Sequence, residues 1–588
     1  MTLLQDRDAE ARRAAALPDT YGENFYRTDQ SLRSVLPLYL EAGLLQFLEP
    51  HLDWLGANIT KRLDALAATA DKNPSVLHHR SRRGITEERI EKPSAYVELE
   101  GIAFGQLGLA AMSHRAGVLG WNSQMPPAAK YALTYLFVQS EFGLMCPVSM
   151  TDSLTRTLVK YGEKGLVERF LPALTSTDLD TLSQGSMFIT EQQAGSDVGR
   201  VETVARLADG VWRLYGEKWF CSNADAALAM VLARPEGGRE GTKGLGLFLL
   251  PRILDDGTRN HYRIVRLKDK LGTRAMPSGE IVLEGAVAYL VGNLGAGFHQ
   301  MTDMINMSRL SNGVRAAGLM RRSMHEAMHV ARHRNAFRRS LVDMPLMRRQ
   351  LVKMLVPTEQ ALSFALFTAG ELAASDAGDA TAAAVTRILT PLIKFRACRD
   401  ARKTAGDSME VRGGCGYVEE WINARLVRES HLGSIWEGTS NVVALDVVRA
   451  AKKLDSHHAL QTRLNDLLDD CPNLPAVFKA RLRSALDRAV DFVDHAAVVR
   501  DDDLHARKAA TALYNAASAI ILAREGSQIA RRNGDARRAA LAHQVLAWRL
   551  GATDPLQIDN AAAEARVQAF LLDERPPTMA DVAELLAS

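Results

Sequence analysis

Apolar and polar positions follow two different rhythms along the chain, and each rhythm predicts a different kind of structure. Residues 1–183 and 298–454 repeat apolar positions every three to four residues, which is typical of amphipathic helices. Residues 184–297 instead contain short runs rich in Val, Ile, Leu and aromatics, many of them alternating, separated by Gly, Asp, Asn and Pro. This texture predicts a compact antiparallel β domain inserted between helical segments.

The last block, residues 455–588, is again helical in pattern and rich in Ala. The predicted fold class is therefore multidomain α+β. It consists of an N-terminal helical domain (1–183), a central β domain (184–297), a helical domain (298–454) and an extra C-terminal helical domain (455–588). The polar stretch Leu77–Pro93, which includes the run HHRSRR, is expected to be a solvated loop.

Composition narrows the class of protein. With 588 residues, 47% of them hydrophobic, the chain is long enough for several cores. The 72 Lys and Arg nearly balance the 69 Asp and Glu, giving a net charge of +3, which does not favour a general polyanion binder. No apolar run is long enough to span a bilayer, and the first residues lack the apolar core of a secretory signal. We expect a soluble, cytoplasmic protein.

No metal site is expected from the sequence. The five cysteines are scattered without C-x-x-C spacing, which also argues against a disulfide framework. The two histidine pairs, His78–His79 and His457–His458, lie in polar surroundings and are predicted to be surface pairs.

Four segments carry candidate chemistry, and each also has an ordinary structural interpretation. MFITEQQAGSD, beginning at Met187, could bring main-chain N–H groups close to a phosphate, or could be a simple turn. EKWFCSN, beginning at Glu217, contains two adjacent aromatic residues. They could line a site for a planar heterocycle, or one could pack in the hydrophobic core and the other at its edge. MEVRGGCGY, beginning at Met409, lacks the spacing of the dinucleotide fingerprint, so a Rossmann site is rejected.

The fourth segment, GSIWEGTSN, places Glu437 behind Trp436 in a loop that leads into a helix. A carboxylate packed against an aromatic ring is poorly solvated, which suits it to accept a proton from carbon. Alternatively, Glu437 is a solvent-exposed acid near a helix start, where the helix dipole favours it.

Taken in order along the chain, these segments resemble the acyl-CoA dehydrogenase family of flavoproteins. The resemblance covers roughly residues 25–450 and rests on FITEQQAGSD, GEKWFCSN, LKDKLGTRAMPSGEIVLE, GAGF, RHRNAF, MEVRGGCGY and IWEGTSN. It implies an N-terminal helical domain, a β domain and a C-terminal four-helix bundle, with FAD as cofactor. It also implies a homotetramer, an acyl-CoA substrate and an electron-transfer flavoprotein as the electron acceptor.

The resemblance assigns roles to particular residues. Glu437 matches the family's catalytic base; in some relatives the base instead precedes the arginine that is Arg309 here, and that position is Ser308. The residues expected at the cofactor are Phe188, Thr190, Gly195, Ser196, Phe220, Ser222, Arg334, Phe337, Gly413, Gly414, Thr439 and Asn441. Ser196 and Arg309 are also expected beside the substrate, while Arg334 and Phe337 match residues that reach a neighbouring subunit's cofactor. Two departures are Glu410, where Gln is common, and Arg338, where Gly is common.

Several departures, together with the helical tail, are closer to the AidB-like branch of the family, which resembles flavoproteins of the alkylation response. That branch implies an alternative function, binding of double-stranded DNA through basic patches on the tail. Acidic and basic residues nearly balance in the tail as a whole. One local cluster is basic, and its members are Arg524, Arg531, Arg532, Arg537 and Arg538. Such a cluster could bind phosphates or could simply be a solvated face.

Overall fold

A computed structural model describes residues 16–498, 503–552, 554, 556, 558 and 560–587. The chain divides into two compact units, one formed by residues 1–60 and 312–588 and the other by residues 61–311. This division is coarser than the four domains expected from sequence texture, and the boundaries of those domains stay predictions. Among the described residues, no helix combines the length and the apolarity that crossing a bilayer requires.

The unit formed by residues 61–311 is built around a β domain. Its strands are β1 Val76–Arg80, β2 Thr86–Glu91, β3 Gly185–Phe188, β4 Val204–Ala208, β5 Val211–Ser222, β6 Leu228–Pro235, β7 Gly246–Pro251, β8 Tyr262–Leu267 and β9 Ser278–Val291. Strands β6, β4, β5, β9 and β7 pair in a closed ring, since β7 pairs with both β9 and β6. Alternate residues of these strands face inward and form one apolar core, which explains the alternating pattern of the sequence.

The predicted β domain is confirmed, but its pairing is mixed rather than purely antiparallel. Strand β6 runs parallel to both β3 and β4, whereas β4–β5, β5–β9, β6–β7, β7–β9 and β8–β9 are antiparallel. Alternation along a strand does not reveal the direction of its neighbours, so the sequence could not distinguish these cases.

The loop predicted at Leu77–Pro93 is wrong, because β1 and β2 form an antiparallel hairpin there. Leu77 and Ile90 face each other across the hairpin and pack against the core of the β domain. The contact of these two apolar side chains with the core accounts for a hairpin in a largely polar stretch of sequence.

Helices complete this unit. They are α4 Asp64–Lys72, α5 Ser94–Glu100, α6 Pro127–Phe137, α7 Met145–Tyr161 and α8 Lys164–Leu174. Helix α7 packs against β3, and Asp152 on this helix accepts hydrogen bonds from His114 at 2.8 Å and Lys130 at 2.7 Å. The helix α9, Gly297–His333, begins in this unit and continues into the other.

The unit formed by residues 1–60 and 312–588 is helical, as the sequence pattern predicts. Its helices are α1 Phe25–Thr28, α2 Gln30–Val35, α3 Ala42–Asn58, α10 Pro345–Asp376, α11 Ala380–Arg412, α12 Ile422–Leu432, α13 Ser440–Leu454, α14 Ser456–Asp469, α15 Ala476–Val498, α16 Ala506–Asn533, α17 Arg537–Val545, α18 Ala561–Leu572 and α19 Met579–Ala587. A two-residue hairpin, β10 Asn335–Ala336 and β11 Arg339–Ser340, follows α9. The tail helix α16 packs against α10, α11 and α13, so the extra helical segment shares a core with the bundle.

Candidate functional site

Glu437 lies in the turn between α12 and α13, in the helical unit. Its backbone has φ 55°, and Gly438 follows with φ 100°, so two consecutive residues adopt the left-handed region. For a residue with a side chain this conformation costs on the order of 1–3 kcal/mol and persists only where surrounding contacts hold it. The strained backbone presents the half-buried carboxylate of Glu437 toward helix α9.

The side-chain amide of Asn312, on α9, holds that carboxylate. Asn312 is fully buried; its Nδ2 donates to Glu437, and its Oδ1 accepts from Nε1 of Trp436 at 2.7 Å. An indole N–H can only donate, so the amide oxygen of Asn312 must face Trp436 and its NH2 must face Glu437. Two adjacent residues of the turn are thereby fixed by one amide.

Two buried cations flank the same turn. Nζ of Lys394 donates to the main-chain oxygen of Gly438, and the guanidinium of Arg315 lies 4.8 Å from the centroid of the Trp436 ring. Sequence reasoning missed Asn312, Arg315 and Lys394, because nothing in their local pattern distinguishes them from other helical core positions.

The thiol of Cys398 lies in this environment as well, and its Sγ donates to the main-chain oxygen of Asn312 at 3.7 Å. Burial raises the pKa of the Cys398 thiol to about 11, although Lys394 and Arg315 oppose the shift. The thiol is therefore neutral near pH 7, which argues against a nucleophilic role. Glu437 is the group in this turn that is suited to accept a proton.

In the β-containing unit, β3 and β5 carry the segments predicted to line a flavin. The main-chain oxygen of Thr190 accepts from the N–H of Trp219 at 2.8 Å, which joins the FITEQQ and EKWF segments. Phe220 is 56% exposed, with its ring 6.4 Å from that of Trp219 and nearly perpendicular to it. An exposed aromatic wall of this kind fits a planar heterocycle.

Lys268 adds a cation to the aromatic wall, and sequence reasoning missed it. Its Nζ lies 3.4 Å from the centroid of the Trp219 ring and 4.8 Å from that of Phe220. The same Nζ donates to Glu280 at 2.6 Å, which positions it over the rings.

Other predicted residues of this unit differ in how much they can offer a ligand. Phe188 is only 1% exposed and packs within the β-domain core, so its predicted contact with the cofactor stays a prediction. Gly195 and Ser196 are exposed, and a Cβ added at Gly195 would meet no atom within 4 Å. Ser222 is half-buried at the end of β5, and its main-chain oxygen accepts from Ser186. Arg309 is largely buried on α9, where it donates to Asn306 at 3.3 Å.

In the helical unit, the structure brings Arg334 and Gly413 together. Nη1 of Arg334 donates to the main-chain oxygen of Arg412 at 3.1 Å, and a Cβ added at Gly413 would lie 3.6 Å from that Nη1. Gly413 has φ 76°, a conformation that glycine adopts at low cost.

Phe337 and Arg338 form the tip of the hairpin β10–β11, with φ values of 52° and 62°. Both residues adopt the conformation of a type I′ turn, which usually selects Asn and Gly. Phe337 is 91% exposed, so the turn presents an aromatic ring to the outside of the chain.

Three further predicted residues, Gly414, Thr439 and Asn441, are exposed on the helical unit. Thr439 is the N-cap of α13, where no side chain caps the helix, and Oδ1 of Asn441 accepts from Arg507 at 3.3 Å. Exposed N–H groups at a helix start fit a phosphate group. This exposed helix start is thus compatible with a phosphate of FAD.

The arginine cluster proposed for DNA does not form a single surface. Arg538 is only 4% exposed, because it is enclosed by the carboxylates of Glu359 at 2.9 Å and Glu525 at 2.7 Å. The prediction that Arg538 contacts DNA is therefore wrong, because its guanidinium forms ion pairs with two buried carboxylates. Arg531 and Arg532, at the end of α16, are exposed.

The two remaining arginines of that cluster, Arg524 and Arg537, each contact another residue of the chain. Arg524 lies with its guanidinium 5.7 Å from the Tyr39 ring centroid. Arg537 donates to the main-chain oxygen of Asp573 at 2.7 Å. Both are half-buried, so they offer less charge to a ligand than the sequence alone suggests.

Three family models match the chain in sequence order. Residues 16–181 match the adaptive response protein AidB N-terminal domain, residues 186–286 the acyl-CoA dehydrogenase middle domain, and residues 295–452 the acyl-CoA dehydrogenase C-terminal domain. The matched ranges thus account for both helical segments and the β domain, and they end shortly before helix α14.

Individual relatives agree with these matches. Acyl-CoA dehydrogenase family member 11 of Caenorhabditis elegans is 32% identical over 436 residues, covering 72% of this chain and 69% of the relative. Putative acyl-CoA dehydrogenase AidB of Escherichia coli is 36% identical over 358 residues, covering 58% of this chain and 64% of the relative. The solved structure of Caenorhabditis elegans ACDH-11 in complex with C11-CoA is similar with a TM-score of 0.83 at 27% identity, covering 95% of this chain and 96% of that one.

Proposed function

Because this chain belongs to the acyl-CoA dehydrogenase family, we propose that it removes two hydrogens from the α and β carbons of an acyl-CoA thioester with Glu437 as the base. The observation that supports this most directly is the carboxylate of Glu437, held by Asn312 in a strained turn that leads into α13. FAD is the cofactor of the family, and when bound it supplies the acceptor for the hydride that leaves the β carbon.

The proposed role of Glu437 is to take the α proton onto its carboxylate. Asn312 keeps that carboxylate oriented, because the donor from Trp436 prevents its amide from turning round. Lys394 restrains the neighbouring main chain through Gly438. We expect the main-chain N–H of Glu437 to donate to the thioester carbonyl, which would stabilise negative charge as the proton leaves.

The residues proposed to hold FAD are those that the family resemblance assigns to the cofactor. In the β-containing unit they are Phe188, Thr190, Gly195, Ser196, Phe220 and Ser222. In the helical unit they are Arg334, Phe337, Gly413, Gly414, Thr439 and Asn441. Arg334 and Phe337 are proposed to reach the cofactor of a neighbouring subunit in a homotetramer, and the outward ring of Phe337 supports this. Ser196 and Arg309 are proposed to contact the substrate, and an electron-transfer flavoprotein to reoxidise the cofactor.

The test is an anaerobic titration of the purified, FAD-loaded chain with acyl-CoAs, followed by flavin absorbance. Short, branched and long thioesters are compared with undecanoyl-CoA, since the similar Caenorhabditis elegans structure contains C11-CoA. We expect one class to bleach the flavin stoichiometrically. If the flavin stays oxidised with every class, the proposed activity is wrong.

DNA binding is the second candidate, and one surface observation favours it. Arg488, Arg507, Lys508 and Arg549 line a cleft of about 530 Å³ on the tail, with Phe492 on its apolar side. Together with the exposed Arg531 and Arg532 they give the tail phosphate-binding charge despite its balanced composition. Replacing Arg531 and Arg532 with Ser is expected to weaken duplex retention and to flatten its salt dependence. Unchanged binding and salt slope would remove these residues from that role.

A further inference from the structure

A group of two imidazoles and two carboxylates lies beyond residue 452, outside the matched family ranges, and the acyl-CoA reaction makes no use of it. Asp455 ends helix α13 in the left-handed conformation, and His457 and His458 stand in the first turn of α14. Asp494, on the facing helix α15, contacts both rings. The prediction that His457 and His458 form a surface pair is wrong for His457, which is only 2% exposed.

Asp494 determines which nitrogen of each ring is protonated. Its two oxygens lie 2.7 Å from Nε2 of His457 and 3.2 Å from Nε2 of His458. An ionised carboxylate accepts and does not donate, so the hydrogen of each contact belongs to the imidazole. In the neutral imidazole of each residue, Nδ1 is then left with an unshared electron pair.

Both of these Nδ1 atoms face one oxygen of Asp455. The distance from Oδ1 of Asp455 is 2.6 Å to Nδ1 of His458 and 3.8 Å to Nδ1 of His457. A single proton between His458 and Asp455 satisfies that pair alone. Nδ1 of His457 is buried and has no hydrogen-bond partner among the residues that the structure describes.

Burying a nitrogen that accepts no hydrogen bond is costly. Nδ1 of His457 faces two other atoms that can also act as ligands, Nδ1 of His458 and a carboxylate oxygen of Asp455. One nitrogen from each ring and a carboxylate oxygen of Asp455 all lie within 4.8 Å of one another. A cation placed among them would satisfy all three atoms at once. The arrangement of Asp494 behind both rings is the one that orients metal-binding histidines in proteins, where a carboxylate accepts the N–H opposite the metal.

We propose that Asp455, His457 and His458 bind a divalent transition-metal ion, with Zn²⁺ as the reference ion, and that Asp494 orients both imidazoles. Two nitrogens and one oxygen are a ligand set that Zn²⁺ accepts, whereas Mg²⁺ and Ca²⁺ prefer oxygen ligands. The exposed carboxylate of Asp455 leaves room for water as a further ligand. A bound ion would tie the end of α13 to α14 and α15, and so fasten the C-terminal helical segment to the bundle.

The test uses the full-length, FAD-loaded chain, freed of metal with a chelator and titrated with ZnCl2 by isothermal calorimetry. We expect one site per chain that is absent with MgCl2 or CaCl2, and a rise in the unfolding temperature on adding Zn²⁺. His458→Gln is the first variant, because the partly exposed His458 can be replaced without disturbing the core. It is expected to lose the site, as is His457→Gln.

Two other variants sharpen the result. Asp494→Asn keeps all three ligands and is expected to weaken Zn²⁺ binding by about 10–100-fold. His495→Gln, which removes an exposed histidine of the same helix, is the matched control and is expected to bind as the wild type does. Absence of Zn²⁺ binding in the wild type, or an unchanged site in both His457→Gln and His458→Gln, would overturn the proposal.

Discussion

The carboxylate of Glu437 accepts a hydrogen bond from the side-chain amide of Asn312, a residue 125 positions earlier in the chain. The amide is held in place by Trp436, whose indole N–H donates to its oxygen at 2.7 Å. Asn312 lies on α9 and Glu437 in the turn before α13, so the proposed base is oriented by a helix remote in sequence. Orientation is as much a requirement for proton transfer as basicity is.

Removing the amide should therefore affect the reaction more than it affects binding. For Asn312→Ala we expect acyl-CoA binding to persist and the rate constant of flavin reduction to fall by ~10²-fold, because the carboxylate loses its orientation. Stopped-flow absorbance measures the rate constant, and the FAD content shows whether the fold is intact. Trp436→Phe, which removes the N–H that locks the amide, should give an intermediate loss. A rate constant unchanged in Asn312→Ala would show that the contact is only structural.

Replacing the base itself gives a stricter prediction. Glu437→Gln keeps the size of the side chain but cannot take the α proton, so the variant should bind FAD and acyl-CoA without bleaching of the flavin. The matched control is Glu410→Gln, which changes an exposed glutamate where the family commonly has Gln and should leave flavin reduction intact. Normal reduction kinetics in Glu437→Gln would rule out Glu437 as the base.

Replacing Arg338 at the tip of the hairpin β10–β11 with glycine is expected to stabilise the protein. Arg338 has φ 62°, a conformation that favours glycine, and its side chain is exposed. Arg338→Gly should raise the free energy of unfolding by about 1 kcal/mol, because relief of backbone strain exceeds the added flexibility of the unfolded chain. Denaturant titration checks this. Arg338→Ala removes the same side chain but keeps the strain, so an equal gain in both variants would contradict the explanation.

The buried network around Arg538 predicts how stability depends on acid. Burial alone would raise the pKa of the Glu359 carboxyl, but Arg321 and Arg538 outweigh it and hold that pKa below its usual value of 4.5. A carboxyl with a lowered pKa stabilises the fold above its unfolded pKa, and this contribution is lost as the pH falls through the folded pKa. Below about pH 4.5, Glu359 should therefore contribute a loss of at most about 1.4 kcal/mol per pH unit.

Glu359→Gln tests that assignment. The variant should be less stable by about 3–5 kcal/mol near pH 7, because it removes the charged partner of the buried Arg538. Below about pH 4.5, its free energy of unfolding should fall less steeply with decreasing pH than that of the wild type. Chemical denaturation at a series of pH values measures both effects. Glu420→Gln, at an exposed position, is the control. If the free energy of unfolding falls as steeply with decreasing pH in Glu359→Gln as in the wild type, other carboxyl groups cause the loss of stability in acid.

Local sequence patterns were sufficient for most of the element types, with the hairpin β1–β2 as an exception, and they led to the proposal of a base. Alternation placed the β domain at 184–297, and its strands outside the first hairpin run from Gly185 to Val291. Helical periodicity predicted the helical segments, and the family resemblance carried by the motif IWEGTSN proposed Glu437 as the base. These features are encoded by residues a few positions apart, which is the range over which periodicity, turn residues and short motifs carry information.

Only the tertiary structure decided which charged and polar groups are buried and what they contact. Arg538 looked like part of a basic surface, but two carboxylates from elsewhere in the fold enclose it, and His457 looked exposed, but α15 covers it. Asn312, Arg315 and Lys394 acquire their relation to the Glu437 turn only when α9 and α11 pack beside it. The physical reason is that burial and pairing depend on residues distant in sequence, while the free energy of a charge depends on its surroundings.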